Sequence, residues 1–475
     1  MARAADRTTG VGLRSERGPV LAGVMLSIGL IAIDATVIAT AVPSVVADLG
    51  GFASFPWLFS VYLLAQAVTV PVYGKLADLF GRKPVMLTGI GLFLLGSILC
   101  GLAGSMGALI AFRAVQGLGA GAVQPISMTI VGDLYTLEER AKVQGYLASV
   151  WAVCSVIGPT LGGVFSEYTG WRWIFWINIP LCLVAAAAIG LRFAERVQRR
   201  RVRVDYAGAA VLTAALTLLI LGVLEGGQRW AWASPQSIGV LGLGAVLLAV
   251  FVLVERRAAD PVVPLGMLRD RLLTTTNVVS ACVGAVLLAL TSYVPTFVQE
   301  VLGTGPLVAG FALAALTIGW PVTASQAGRL YLRIGFRATA MIGAGVVVLG
   351  SASLLLLDGG SGIWQVAVSA FVIGLGMGLT ASPTMIAAQS SVGWEQRGVV
   401  TGLNMFFRSA GSAVGIAVFG AVVNGALGGR GLESDRVAPA DLDGAVHGVF
   451  LGALVLAVVM LAAVALMRRD PIPGD

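Results

Sequence analysis

The chain has 475 residues, of which 57% are hydrophobic and 12% are charged, with a net charge of +7 and a mean hydropathy of +0.91. A soluble protein of this composition would expose far too much apolar surface, so the composition excludes a soluble enzyme and indicates an integral membrane protein. The longest basic run is Arg199–Arg201, which is too short to form a nucleic-acid face. We therefore expect the positive charge to contact anionic membrane lipid and to bind no nucleic acid.

Apolar windows of about 19 residues, enough to cross roughly 30 Å of hydrocarbon, recur along the whole chain. They predict an all-α membrane protein with fourteen transmembrane helices. In chain order the predicted spans are 19–42, 55–73, 85–104, 106–131, 143–165, 172–191, 207–224, 237–254, 274–298, 307–327, 338–357, 364–386, 401–424 and 447–467. If the count were twelve, the pair 207–224 and 237–254 would be the first to drop.

The distribution of Lys and Arg predicts the orientation, because cytoplasmic loops keep positive charge. With the N-terminus inside, most of the 31 Lys and Arg residues fall in predicted cytoplasmic segments. Those in predicted outer segments are Arg172, Arg229, Arg430 and Arg436. The sequence therefore predicts a multi-pass protein of the inner (plasma) membrane with both termini in the cytoplasm.

An internal duplication is visible in the sequence. One set of residues recurs at a constant displacement: Arg140, Gly145, Gly158 and Gly163 recur as Arg397, Gly402, Gly415 and Gly420. Parallel repeats of this kind are typical of transporters whose substrate site lies between the two halves, near the membrane midplane.

The duplication predicts a domain organisation of two six-helix halves, 19–191 and 274–467, with an inserted two-helix hairpin. The hairpin, 207–254, lies within a region 192–273 that also supplies a basic linker and a second linker. Short cytoplasmic tails are predicted at 1–18 and 468–475.

A charged segment between the second and third predicted spans, Gly74 to Lys83, predicts a tight turn at the membrane face. Its glycines permit backbone conformations and close helix approach that a Cβ would block, and its charges can pair across the turn. An echo at 328–337 keeps the two glycines and lacks the acid. The residues of this predicted turn that we single out are Gly74, Asp78, Gly81, Arg82 and Lys83.

Polar residues inside the predicted spans are the candidates for coupling. Asp34 lies well inside the first span, roughly 12 Å from its nearer end at 1.5 Å per residue. Arg113 and Gln116 lie in the fourth span. An arginine at a helix centre costs about 2.5–3.5 kcal/mol even on low estimates, so Arg113 needs a partner or an aqueous cavity. Asp34 then either exchanges a proton or forms a permanent structural ion pair with such a cation.

In the second half, Asn404 and Arg408 lie one helical turn apart on one face of a predicted span. Arg408 either binds an anionic group or balances the charge of Asp34. Aromatic residues of the spans offer surface to a planar substrate. The predicted substrate-cavity residues are Asp34, Gln116, Trp151, Tyr293, Phe297, Asn404 and Arg408.

Several of these patterns resemble signatures of the major facilitator superfamily. The segment 74–83 resembles its loop signature, and Arg113 with Gln116 resembles its fourth-helix pattern. The stretch from Asp34 to Pro43 resembles the first-helix motif of the fourteen-helix drug:proton antiporter branch. A fifth-helix segment resembles the antiporter signature but has Ser149 where the family has glycine; its matching residues are Gly158, Pro159, Gly162 and Gly163.

The resemblance implies a major facilitator fold and export of amphipathic or cationic compounds in exchange for protons, which is multidrug efflux. It implies that Asp34 and Arg113 couple protons and that segment 74–83 gates the transport cycle. The fifth-helix glycines either form a hinge or an ion seal, or simply pack.

Alternatives of cargo and of class stay open. One alternative is a transporter of the same fold that exports a lipid, a siderophore or a dedicated metabolite. The alternative from another functional class is a membrane sensor or a channel. We expect no enzymatic activity, no metal and no cofactor, with protons as the coupling ion. The expected partners are small amphiphiles or drugs, protons and membrane lipids, and we expect a monomer.

Overall fold

The computed structural model describes residues 11–50, 57–195, 205–226, 230–258, 261–427 and 439–468. These residues are almost entirely helical, and within them the only β-type pairing is one isolated bridge between Gly226 and Trp230. Helices are the expected solution because a membrane core offers no water to the backbone, so each segment must satisfy its own N–H and C=O groups.

The first part of the chain forms nine α-helices within the described ranges. They are α1 (Gly18–Leu49), α2 (Trp57–Phe80), α3 (Arg82–Gly101), α4 (Met106–Leu134), α5 (Leu137–Val164), α6 (Trp173–Trp176), α7 (Asn178–Arg192), α8 (Tyr206–Glu225) and α9 (Pro235–Glu255). The second part, over its described residues, continues with α10 (Arg271–Thr296), α11 (Pro306–Ile334), α12 (Phe336–Leu354), α13 (Ile363–Ser390), α14 (Arg397–Ala426) and α15 (Pro439–Ala465). Short π-helical turns follow α5 at Phe165–Thr169 and α10 at Phe297–Val301.

The predicted spans are confirmed as helices. Each predicted span but one coincides with a single long helix. The exception is 172–191, which coincides with α6 and α7; together they form the span Trp173–Arg192. Among the described residues, 13 helices are long and apolar enough to cross a membrane. The additional predicted span corresponds to α5, whose first turn is acidic and closed by a capping box between Thr136 and Glu139.

The described residues divide into two compact units. The first contains those within Met1–Ala209, Ala259–Val263 and Val392–Leu403, and the second those within Ala210–Ala258, Pro264–Ser391 and Asn404–Asp475. The start of α14 thus groups with the first unit. The predicted domain boundaries stay predictions.

Glycine-mediated helix packing repeats in the two units. In the first, a Cβ at Gly119 of α4 would lie 2.6 Å from the carbonyl oxygen of Gly89 in α3. In the second, a Cβ at Gly376 of α13 would lie 2.6 Å from the carbonyl oxygen of Gly343 in α12. Gly119 and Gly376 are related by the displacement that relates Arg140 to Arg397. The sequence duplication therefore corresponds to a repeated close contact between helices, which small residues permit.

Candidate functional site

A buried polar cluster lies among the first helices of the first unit, and its centre is an ion pair. The side chains of Asp34 on α1 and Arg113 on α4 are each 1% exposed, and Arg113 Nη1 donates to Asp34 Oδ2 at 2.6 Å. Gln116 Nε2 donates to the other oxygen, Asp34 Oδ1, at 2.8 Å. Both carboxylate oxygens therefore accept from protein donors, which is the arrangement an ionised carboxylate requires.

Arg113 is held on several sides. Its Nε donates to the carbonyl oxygen of Leu58 at 3.1 Å, and its Nη1 also donates to Gln116 Oε1 at 2.6 Å. Its guanidinium lies over the ring of Tyr62, 4.1 Å from the ring centroid. A fully buried arginine in a membrane helix is tolerated when its charge is balanced and its donors are satisfied. Here α1, α2 and α4 together meet that condition.

Gln116 connects this pair to two further polar residues. Its Nε2 also donates to Ser97 Oγ on α3 at 2.8 Å, and Asn178 Nδ2 on α7 donates to the same oxygen at 3.3 Å. Gly96 makes this approach possible, because a Cβ there would lie 2.5 Å from the backbone of Gln116. We call Asp34, Arg113, Gln116, Ser97 and Asn178 the Asp34 cluster.

The fifth-helix motif contacts α1 beside this cluster. A Cβ at Gly158 would overlap the hydroxyl of Thr36, which donates to the carbonyl oxygens of Ala32 at 2.9 Å and Cys154 at 3.2 Å. Gly162 is buried, and a Cβ at Gly163 would meet open space. The side chain of Pro159 lies outside the described residues. Of the glycines in this motif, Gly158 is therefore the one for which the structure describes a close contact between α5 and α1.

The gating segment differs from the predicted tight turn. Helix α2 continues through Gly74 and Asp78 to Phe80, and α3 begins at Arg82. The turn is thus the single residue Gly81, whose φ of 100° is a left-handed value that a side chain disfavours. The correction has a physical reason: a polar helix end continues its hydrogen bonds beyond the apolar window that defines the predicted span.

Asp78 caps the start of α14. Its Oδ1 accepts from the backbone N–H of Gly398 at 2.9 Å, and its Oδ2 accepts from that of Val399 at 2.8 Å. A carboxylate at a helix N-terminus satisfies free N–H donors and interacts favourably with the helix dipole. Gly74 brings the helices together here, because a Cβ there would lie 2.5 Å from the carbonyl oxygen of Gly398.

Arg82 links this cap to two further acids. Its Nη2 lies 3.0 Å from Asp78 Oδ1, and its Nε donates to Asp133 Oδ2 at 2.8 Å. Glu195 accepts from the backbone N–H groups of Arg82 at 2.8 Å and Lys83 at 3.0 Å, so it caps α3. The side chain of Arg82 is fully buried. Lys83 contributes to this cap through its backbone N–H, which donates to Glu195.

The segment before α14 completes this arrangement. Arg82 donates to the carbonyl oxygen of Trp394 at 2.6 Å and lies over its ring at 3.7 Å. Arg397 Nη1 donates to Asp133 Oδ1 at 3.0 Å. We call Asp78, Arg82, Asp133, Glu195 and Arg397 the Asp78 cluster. Its alternating charges join α2, α3 and α4 to residues 394–399.

A smaller charged group lies at the C-terminal end of α1, beyond the candidate span Gly18–Ile38. Asp48 Oδ2 accepts from Arg172 Nη1 at 2.7 Å and from Trp171 Nε1 at 3.0 Å. Arg172 and then Trp171 hold the pKa of Asp48 below its usual range by hydrogen bonding. Arg172 Nη2 also donates to the carbonyl oxygen of Ala103 at 3.0 Å, so the group fastens the end of α1 to the turn before α4.

The second unit contains the other predicted polar residues. Asn404 Oδ1 accepts from Ser280 Oγ at 2.7 Å, and its Nδ2 donates to the carbonyl oxygen of Thr276 at 3.2 Å, so Asn404 joins α14 to α10. Arg408 points elsewhere: its guanidinium lies over the ring of Trp320 on α11, 5.0 Å from the centroid.

The predicted aromatic residues have different surroundings. Trp151 on α5 is 38% exposed, whereas Tyr293 on α10 is buried. Phe297 is fully buried and packs edge-on against Phe450 and beside His447. In this structure Phe297 belongs to a packed aromatic group, and its predicted role in a substrate cavity stays a prediction.

Comparison with known proteins identifies the family. The family model described as Major Facilitator Superfamily matches residues 24–416, which is most of the chain. The chain belongs to the Major Facilitator Superfamily. It is 34% identical over 428 residues to the multidrug transporter protein MdtP of Bacillus subtilis, with 90% of this chain and 79% of that protein covered. It is 34% identical to multidrug resistance protein 3 of the same organism, with 85% and 79% covered.

Other relatives and solved structures agree with this family. The efflux pump dotC of Dothistroma septosporum is 31% identical, with 81% of this chain and 67% of that protein covered. The crystal structure of the human organic anion transporter MFSD10 matches with a TM-score of 0.66 at 16% identity, over 94% of this chain and 99% of that one. At that identity the likeness shows the fold alone, and the fold is the one predicted.

For this member of the superfamily, the sequence patterns predicted the central residues of each cluster but not the residues that contact them. Asp34, Arg113 and Gln116 meet in one unit, as do the residues of the gating segment. Ser97, Asn178, Asp133, Glu195 and Trp394 were not singled out. Their only sequence signal is a polar or aromatic residue within or beside an apolar helix, which many unrelated positions share.

Proposed function

We propose that this transporter is a proton-coupled antiporter that exports amphipathic or cationic small molecules by alternating access. Family membership and the names of its relatives, which are multidrug transporters, support export of drug-like molecules. The observation that carries the proton coupling is the Asp34 cluster, a carboxylate fully buried in a membrane helix and paired with Arg113. Ionisable residues inside membrane segments mark proton and ion pathways.

The geometry of the cluster suggests how a proton is used. Among the described residues, the neighbours that form hydrogen bonds with the oxygens of Asp34 are both donors, namely Arg113 and Gln116. A protonated carboxyl carries an O–H that needs an acceptor, so protonation breaks at least one of these contacts. The arrangement described here is therefore that of the ionised form. Protonation frees Arg113 from Asp34 and favours a second arrangement of α1 and α4.

The energy available is sufficient for export. A proton that carries one net charge inward contributes about 2.3 kcal/mol per 100 mV. At about 1.4 kcal/mol per decade, this supports a substrate gradient of roughly forty-fold. One titrating carboxylate per cycle is therefore enough, and no second intramembrane acid is needed.

The Asp78 cluster has the second role in the proposal. It holds the start of α14 by hydrogen bonds to two backbone N–H groups, in a contact that Gly74 keeps close. Such a contact forms or breaks as a unit, because the charged groups need one another when buried. We propose that it stabilises one conformation of the cycle and opens in the other.

The proposal places both termini in the cytoplasm, in the inner (plasma) membrane, as the distribution of Lys and Arg predicts. A reporter enzyme that is active only in the cytoplasm should be active when it is fused after Asp475. Labelling of that reporter by a reagent that does not cross the membrane would contradict the proposed topology.

The test of proton coupling is Asp34→Asn in proteoliposomes that carry an imposed pH difference. Asparagine matches the protonated carboxyl in size and charge. We expect proton-driven accumulation of ethidium, the substrate probe, to be lost while downhill exchange is kept. Accumulation that persists in the variant and still collapses when the pH difference is removed would place the coupling group elsewhere.

Two controls separate coupling from folding. Asp48→Asn makes the same change on the same helix at a side chain that is 48% exposed, and it should leave accumulation intact. Removing one partner of a buried pair costs about 3–5 kcal/mol because the other charge stays unpaired. The double variant Asp34→Asn, Arg113→Gln should therefore recover thermal stability relative to Asp34→Asn without recovering proton-driven accumulation.

A further inference from the structure

Arg408 is an intramembrane cation that forms no ion pair within the part of the chain that the structure describes. None of α10, α11, α12, α13 and α14 contains an aspartate or a glutamate. Among the described residues, the Arg408 guanidinium contacts the ring of Trp320 and forms no ion pair. Asp34 already balances the charge of Arg113, with which it forms an ion pair at 2.6 Å. Among the described residues, the charge of Arg113 is therefore balanced by a carboxylate and that of Arg408 is not.

The position of Arg408 excludes the usual relief for such a charge. It lies near the middle of the candidate span Trp394–Val423, roughly 20 Å from either end at 1.5 Å per residue. An arginine near a helix end extends its side chain to the interface, but from the middle of a span it does not reach. The residue is partly exposed. Because exposure to lipid would be costly, the exposed part must face an aqueous or substrate-filled space.

The fold itself does not require an arginine at this position. Trp151 on α5 is related to Arg408 by the displacement that relates Arg140 to Arg397. In one repeat the position therefore carries an apolar aromatic residue, and in the other it carries a cation. A charge that packing does not demand and that no acid balances is the pattern of a binding residue.

The surroundings of Arg408 are rigid and suited to an amphiphile. A Cβ at Gly284 of α10 would overlap the carbonyl oxygen of Arg408, so α14 is fixed closely on α10. A Cβ at Gly378 of α13 would overlap the carbonyl oxygen of Trp320, so α11 is fixed in the same way on α13. The guanidinium carbon of Arg408 lies over the Trp320 ring, 5.0 Å from its centroid. The N–H groups of this guanidinium have no hydrogen-bond partner among the described residues, and a guanidinium presents a planar fork of donors that fits a carboxylate.

We propose that Arg408 and Trp320 form a site for the anionic group of an organic amphiphile, such as an aromatic carboxylate. The anion supplies the missing counter-charge, and the ring beside it offers surface to the apolar body. The site adds amphiphiles that carry a negative group to the substrates of the proposed export function, on which its meaning for transport rests.

The test compares three pyrene probes that share one ring system and differ in the head group: 1-pyrenebutyrate, 1-pyrenebutyramide and a 1-pyrenebutyl-trimethylammonium salt. Binding to the purified full chain in detergent is followed by energy transfer from tryptophan to pyrene. Wild-type protein should bind the carboxylate most tightly. Arg408→Gln should weaken carboxylate binding by about 10- to 100-fold, the range for a lost charged hydrogen bond, and should not weaken binding of the ammonium probe.

Two further variants keep the result interpretable. Arg408→Lys retains the charge without the planar fork, so it should retain part of the carboxylate preference. Arg333→Gln removes an exposed arginine of the same unit and should bind all three probes as wild-type protein does. Arg408→Gln should also be at least as thermally stable as wild type, because an unbalanced buried charge is removed.

Equal wild-type affinity for the three probes would show that the guanidinium is only hydrated, and would overturn the site. Carboxylate affinity that is unchanged in Arg408→Gln would overturn it as well. These measurements use no pH difference. A failure of the site is therefore distinguishable from a failure of proton-coupled export, which the proteoliposome assay with Asp34→Asn reports separately.

Discussion

Asp78→Asn probes the contact between the gating segment and the start of α14. Asp78 accepts one hydrogen bond at each oxygen, from the N–H groups of Gly398 and Val399. Asparagine has a single oxygen, so one of these N–H groups would face an amide NH₂ and lose its partner. Arg82 would keep its contact with Asp133 at 2.8 Å, so the rest of the cluster stays paired.

The size of the effect follows from these losses. A hydrogen bond to a charged group contributes about 1.5–3 kcal/mol. The interaction of an anion with a helix N-terminus adds about 0.3–1 kcal/mol. Asp78→Asn should therefore destabilise the contacted conformation by about 2–4 kcal/mol, a roughly 30- to 700-fold shift in its equilibrium with the open form.

Hydrogen–deuterium exchange of the peptide that contains Gly398 and Val399 measures this shift directly. We expect faster exchange in Asp78→Asn, slower turnover in proteoliposomes and nearly unchanged substrate affinity. Asp358→Asn is the matched control, because exposed Asp358 accepts from Gly360 N–H in a turn that asparagine also forms. Unchanged exchange at Gly398 and Val399 would refute the contact, and equal loss of binding and turnover in folded protein would instead place Asp78 in the substrate site.

Two more predictions concern packing and pH. Gly74→Ala would place a Cβ 2.5 Å from the carbonyl oxygen of Gly398, so it should lower the unfolding temperature and speed exchange at the start of α14, while Gly91→Ala, where a Cβ meets open space, should do neither. The hydrogen bond from Arg172 lowers the pKa of Asp48, so its stabilisation is present above the ordinary carboxyl pKa and disappears as the pH falls through the lowered value. Asp48→Asn should therefore reduce the loss of stability on acidification, by a small amount because the side chain is half-exposed, and an identical acid dependence of the melting temperature would contradict the assignment.

The positions of the helices and the centres of both clusters were predictable from the sequence. Apolar windows are long because the hydrocarbon core is thick, so helix positions are read from composition alone. Asp34, Arg113 and Asp78 were predictable because charge within or beside such windows is costly and is retained only for a reason. The duplication was also visible in the sequence, and packing gives its physical basis: Gly119 and Gly376 occupy repeated positions and each permits the same close contact between two helices.

Only the tertiary structure decided how these residues are paired. Asp34 and Arg113 lie on different helices far apart in sequence, and spacing within a helix gives no information about which residues meet between helices. Asp133, Glu195 and the backbone of Gly398 enter the Asp78 cluster in the same way, and a backbone N–H has no sequence signature at all. The predicted turn at 74–83 is shorter in the structure because a helix end depends on local hydrogen bonds as well as on apolarity. Sequence thus determined which residues carry a costly charge, and the packing of the helices determined which group balances it.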